Sequence, residues 1–306
     1  MKEKQSANEF DVIVIGSGMG GMTTATALSR LDHKVLLLEQ AQTIGGLTHA
    51  FTRDGFTWDA GIHYVGDMGP EDREKAILDW LTGDPIEFAP IGAIYDTLHI
   101  GDAEPLALSR PSEAQELDLK ERFPNEGDAI EAWYDAMHDG RETALAVVQA
   151  RSMPSALAAA TKWRKRRAIK RWCERTTAEV ANALTDNKEL AAVFSAQWGD
   201  FGGRPSTASF SMHALILGCY LDSGGFYPEG GGSAIGEHLI AAITSSGGEA
   251  RAGVTVESLL VEGDRVVGVA TSEGEKIYAG KVVSDIGARE TVDRLLPDDV
   301  GQEWAA

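Results

Sequence analysis

The chain has 306 residues, of which 43% are hydrophobic and 25% charged, and a formal net charge of −19. That is the make-up of an ordinary soluble globular protein, long enough for one large domain or two intertwined ones, and its acidity argues against a general nucleic-acid binder. Its two cysteines, Cys173 and Cys219, stand far apart and outside any C-x-x-C pattern, which excludes a disulfide framework or a cysteine-rich zinc site and fits a reducing, cytoplasmic compartment.

The opening MKEKQSANEF is polar and lacks the apolar stretch of a signal peptide. Asp11 to Glu39 then reads strand, glycine turn, helix, strand, acid. Val12 to Ile15 suits a buried parallel strand, Met22 to Leu31 carries helix formers, and Val35 to Leu38 suits a second buried strand. Gly16, Gly18 and Gly21 form G-x-G-x-x-G at the strand-to-helix turn. In that pattern the first glycine permits the turn, the second lets backbone approach a pyrophosphate, and the third lets helix and strand pack closely. The free amides and positive dipole end of the helix then face the phosphates. Glu39 is placed to accept hydrogen bonds from a ribose 2′-hydroxyl. Its charge repels a 2′-phosphate, so FAD or NAD(H) is expected over NADP(H). A glycine-rich turn of an unrelated α/β protein is the plainer reading, and the strand, helix and acid around it favour the dinucleotide.

Gly45 and Gly46 open GGLTHAF and allow a second close backbone pass along a dinucleotide, or else form a plain loop. FTWDAGIHYVGDM, Phe56 to Met68, follows. From about 71 to 200 the pattern is mostly helical, with strand-like pieces near Ile94 to Ile100. Within it Lys162, Arg164, Lys165, Arg166, Arg167, Lys170 and Arg171 form a basic run flanked by Trp163 and Trp172. A basic helix bearing tryptophans suits an anionic membrane surface; a solvated helix face is the alternative. Thr176 to Glu179 resembles a capping box. Ala208 to Leu221 is apolar, too short to cross a bilayer, and reads as a buried helix in which His213 is expected to be a core residue. Phe226 to Gly236 is a glycine-rich turn leading into a helix through about Ser245. The period then becomes two: Ala252 to Val261, Arg265 to Ser272 and Lys276 to Val283 predict a three-stranded meander. Lys281 to Asp285 reads as its return to the parallel sheet. No ligand spacing suggests a metal.

GGLTHAF, DAGIHYVG, FSMHALILGCYL and GGFYPEGGGSAIGEHL together resemble the retinol saturase (all-trans-retinol 13,14-reductase) branch of the phytoene desaturase-like FAD-dependent oxidoreductases, from about residue 10 to residue 296. The resemblance implies an α/β fold: a Rossmann-type FAD-binding domain (8–70 and 228–296) with the three-stranded β-meander. A mainly helical, membrane-facing substrate region (71–227) interrupts it. The implied cofactor is FAD, the implied substrate a lipophilic isoprenoid polyene, and the implied chemistry hydride transfer at carbon–carbon double bonds. Gly16, Gly18 and Gly21 would line the pyrophosphate, Glu39 would hold the ribose, Gly45 and Gly46 would pass beside the flavin side, and Val256 would present backbone to the adenine. His63 and Tyr64 are the candidate proton donors, Asp59 is expected to orient their loop, and Tyr227 to border the polyene channel or the core. Leu47 stands where carotenoid desaturases usually place arginine, which favours the saturase branch. Family members run on to a further glycine-rich strand–helix turn that closes over the flavin. Its absence predicts either a fragment or a second chain completing the site. Two other readings stay open: a non-catalytic or split half-flavoprotein, and an amine-oxidase-like flavoenzyme sharing the opening fingerprint. The expected location is cytoplasmic, peripheral on the inner face of a membrane.

Overall fold

The computed structural model describes residues 10–297 and 300. In chain order the elements are β1 (Phe10–Ile15), α1 (Met19–Arg30), β2 (Val35–Leu38), β3 (Ala50–Arg53), β4 (Phe56–Asp59), α2 (Arg73–Thr82), β5 (Phe88–Pro90), β6 (Ile94–Leu98), β7 (Leu106–Ser109), α3 (Ser112–Arg122), α4 (Gly127–Gln149), α5 (Ser155–Trp172), α6 (Thr177–Leu184), α7 (Lys188–Ser195), α8 (Phe210–Leu221), β8 (Phe226–Pro228), α9 (Gly232–Ser245), β9 (Glu249–Arg251), β10 (Val256–Glu262), β11 (Arg265–Thr271) and β12 (Lys276–Ser284). They form two compact units. The first holds the chain up to His63, Arg73–Ala89 and the chain from Tyr227; the second holds Tyr64–Asp72 and Pro90–Phe226.

The first unit is built on a six-stranded sheet of order β10-β11-β12-β1-β2-β9. β1 lies between β12 and β2, parallel to both, and β2 pairs in parallel with β9. Apart from the exposed Asp11, β1 and β2 are buried on both faces and carry continuous apolar residues rather than an alternation. Phe10, Ile13, Ile15, Leu36 and Leu38 share a core with Leu259, Val269, Ile277 and Ala279 of the meander. α1 packs against α9, and the buried Thr26 hydroxyl donates to the Leu239 carbonyl at 3.2 Å. α2 contacts α1 and α9 through a face that buries Leu78 and Leu81.

Two sequence expectations change here. The boundary near residue 70 moves: Tyr64–Asp72 packs with the helical unit, and Arg73–Ala89 with the sheet unit, because α2 has its apolar face on α1 and α9. The strand expected from Ala252 begins at Val256. Gly253, at φ +72°, turns the chain, and the amides of Gly253 and Val254 donate to the carbonyls of Ala41 and Glu39, both at 2.8 Å. A hairpin, β3–β4, and the short parallel strand β9 were not anticipated. The hairpin turn uses Asp54 and Gly55, both at positive φ, as two-residue hairpins require.

The second unit is an aromatic helical core with a two-stranded sheet, β6–β7, of which β7 was also unanticipated. α4 lies along α8, closely enough at Gly140 that a Cβ there would stand 2.9 Å from the Ala214 Cβ. Trp133 stacks on Phe194 at 4.4 Å and meets Phe210 edge-on at 5.4 Å. The capping box of Thr176 and Glu179 opens α6 as the sequence predicts. Among the described residues no helix is long and apolar enough to cross a membrane.

Candidate functional site

The turn between β1 and α1 brings the sequence-selected glycines together. Gly16 has φ +95°, and its amide donates to the Leu38 carbonyl at 2.8 Å. A Cβ on Gly21 would stand 2.0 Å from the Gly16 carbonyl oxygen, so only glycine lets α1 start this close to β1. Gly45 and Gly46 take φ +131° and +54°, and a Cβ on Gly46 would stand 2.9 Å from the Gly18 Cα. The second glycine pair therefore rests directly on the first turn. Ser17, fully buried, joins the two: its hydroxyl accepts the Gly45 amide at 3.1 Å.

Glu39 closes the turn from β2. One carboxylate oxygen accepts the Ser17 amide at 2.8 Å and the Ser17 hydroxyl at 2.6 Å, and the other accepts the Ala41 amide at 2.8 Å. Burial pushes the Glu39 carboxyl up, but the hydrogen bonds from Ala41, Ser17 and Gln40 together hold it below the ordinary carboxylate range. A carboxylate offers about four lone-pair sites, so Glu39 keeps capacity for further donors. A cavity of about 520 Å³ opens beside these groups, lined by Gly16, Gly18, Glu39 and Val254 to Val256 among others. Val256 lines this cavity, and its neighbours Val254 and Thr255 share the wall. Gly21, Gly45 and Gly46 adjoin the turn without lining this cavity, and the Gly21 amide has a partner of its own.

That partner is Asp285, which the sequence reading passed over. It follows β12, and its carboxylate accepts the Gly21 amide at 2.6 Å while lining the same cavity. Ser17 was also missed. A polar residue between the fingerprint glycines, and an acid ending a strand parallel to β1, were the available signals.

The bonds of Asp59 go to Tyr227 and the start of α9 rather than to the loop of His63 and Tyr64. The carboxylate accepts the Gly232 amide at 3.0 Å, capping α9, and the Tyr227 hydroxyl donates to it. Burial and this bond push the Tyr227 phenol up to about 12. The two candidate proton donors fall in different units, His63 exposed in the first and Tyr64 half-buried in the second. The Tyr64 hydroxyl donates to Asp96 at 2.8 Å and accepts from the Gln197 amide at 3.1 Å. Burial, then the Asp96 bond, holds its phenol well above the ordinary tyrosine range, so the protonated phenol is the form present near neutral pH. His213 is 1% exposed among Trp133, Phe201 and Phe210, and burial lowers it to about 4, as befits a core histidine.

On α5, Trp163 is 66% exposed with the Arg166 guanidinium 4.8 Å over its ring. Trp172 corrects the expectation of a matching flank: it is 3% exposed, packed on Phe210 at 5.3 Å within the helical core. Its ring is committed to the fold and is closed to any membrane.

Residues 14–81 match the NAD(P)-binding Rossmann-like domain family. The chain is 32% identical to the all-trans-retinol 13,14-reductase of Danio rerio over 95% of its own length and 50% of that protein. It is 26% identical to the chloroplastic prolycopene isomerase of Daucus carota over 96% of its own length and 48% of that protein. The chain therefore spans about half the length of the curated relatives it matches. Among solved structures, an oxidoreductase from Methanosarcina mazei shares the fold at a TM-score of 0.66 and 18% identity, over 96% of this chain and 63% of that one.

Proposed function

We propose that the chain, 32% identical to the all-trans-retinol 13,14-reductase of Danio rerio over half of that protein's length, is the nucleotide-binding part of an FAD-dependent oxidoreductase acting on carbon–carbon double bonds of an isoprenoid polyene. The observation that carries this reading is the cavity at the β1–α1 turn, where fingerprint glycines, Glu39 and the Val254–Val256 backbone line one wall system. The amides near Gly16 and Gly18 would hold the diphosphate, Glu39 the adenosine ribose, and the Val256 backbone the adenine. Gly45 and Gly46 leave room for the cofactor to continue past the turn. When bound, FAD supplies the hydride chemistry. His63 and Tyr64 remain our candidates for delivering a proton to the neighbouring carbon, with Asp96 fixing the Tyr64 hydroxyl. A non-catalytic half-flavoprotein is the alternative reading of the same cavity. Purified chain titrated with FAD should quench flavin fluorescence with saturable affinity, and Gly18→Leu should weaken it by about tenfold or more. Absence of any saturable binding to the folded chain would sink the proposal.

For the substrate side we propose an anionic lipid surface as a partner of α5, through Lys162, Trp163, Arg164, Lys165, Arg166, Arg167, Lys170 and Arg171. The exposed Trp163 ring supports it. Co-sedimentation with vesicles containing phosphatidylserine should occur and be lost in a variant with Arg164, Lys165, Arg166 and Arg167 changed to glutamate. Equal sedimentation of both proteins removes this partner.

A further inference from the structure

Asp285 is a charged group at the turn for which the cofactor reading has no use. Its amide donates to the Ile15 carbonyl at 2.8 Å, which anchors it at the carboxyl end of the parallel strands. Its carboxylate accepts the Gly21 amide at 2.6 Å, and its oxygens stand 2.6 Å from the Cβ position of Gly20 and 3.3 Å from that of Gly18. The side chain therefore covers the first turn of α1, the end with free amides and the positive half of the helix dipole. A diphosphate draws on that same end. The rest of the cavity wall does not offset the charge. Its titratable side chains are Glu39, Asp285, Glu290 and Arg294, and the Arg294 guanidinium is already paired with Glu290 at 2.8 Å.

We propose that Asp285 is a specificity-determining residue of this site, a built-in anion that competes with a nucleotide's diphosphate for the first turn of α1. Affinity then falls as the phosphate charge of the ligand rises, and the adenosine end carries most of the recognition. The inference rests on the dinucleotide reading of the cavity and adds to it the residue that sets its strength.

The test is calorimetric titration of the full chain, as wild type, Asp285→Asn and Asp285→Ala, with adenosine, ADP and FAD. Asparagine keeps an oxygen for the Gly21 amide and removes the charge. ADP and FAD should bind Asp285→Asn about tenfold tighter than wild type, adenosine should bind both alike, and the gap should narrow at high salt. Should Asp285→Asn fail to fold, as read by circular dichroism, Asp285→Ala and the salt dependence of ADP against adenosine on wild type make the same comparison. Unchanged or weaker ADP binding in the folded variants, with adenosine still bound, overturns the role of Asp285 and leaves the cavity's assignment standing. No binding of any of the three ligands to any variant overturns both together.

Discussion

The sheet unit buries aliphatic side chains on both faces of β1 and β2 and meets polar partners through backbone amides at one turn. The helical unit buries rings, with Trp133, Tyr134, Phe194 and Phe210 filling the space between α4, α7 and α8. At Gly21 a single added carbon would meet main chain at 2.0 Å, and main chain cannot step aside without moving a strand. At Gly140 it would meet the Ala214 methyl at 2.9 Å and the Phe210 ring at 3.0 Å, side-chain atoms of α8 that give way only if α4 and α8 part slightly. Gly21 is thus a brittle position that also shapes the site, whereas Gly140 meets only side-chain atoms, and the helical unit loses stability when a buried polar group alters its charge.

Paired alanine substitutions give the widest contrast. Gly21→Ala should destabilise the sheet unit by about 3 kcal/mol or more and abolish nucleotide binding, since overpacking against backbone lies at the upper end of its usual range. Gly140→Ala should cost only about 1 kcal/mol, the crowding being partly offset by alanine's better helix propensity. Chemical denaturation of each variant checks both figures, and equal losses would erase the distinction between the units. A smaller effect sharpens the other half of it. His213 has a folded pKa of about 4, below its ordinary 6.5, because burial disfavours the imidazolium. The unfolded chain therefore binds the proton first. The resulting stability is fully present above pH 6.5 and is lost as pH falls from there towards about 4, amounting to about 3 kcal/mol at most. In His213→Leu that slope should disappear from the pH dependence of stability. An identical slope in the variant would show that His213 is not what titrates.

Much of the sheet unit was legible because its signals are local. A continuous apolar run, three glycines and an acid fall within Asp11 to Glu39, and the meander announces itself by its period and its turns. The β3–β4 hairpin was legible too, through Asp54-Gly55, but short strands of mixed polarity around a resemblance motif drew attention to chemistry instead. What sequence reasoning missed is what contacts across the chain decide. Asp285 acquires its meaning only when β12 lies beside β1. Trp172 looks like the mirror of Trp163 in sequence, yet an α-helix turns about 100° per residue, so residues nine positions apart lie on opposite faces, and one ring is exposed while the other is core. The boundary near residue 70 failed for the same reason, since the apolar face of α2 does not say which unit will cover it.

The hydrogen bond between Gly21 and Asp285 joins positions 264 residues apart. On the ribosome, the opening strand and its glycine loop emerge long before the strand that flanks them. Until β12 is made, β1 has an open edge and the α1 amide lacks its carboxylate. Assembly of this region therefore has to wait until position 285 has been made, the kind of distant pairing that slows folding and prolongs exposure to chaperones and proteases.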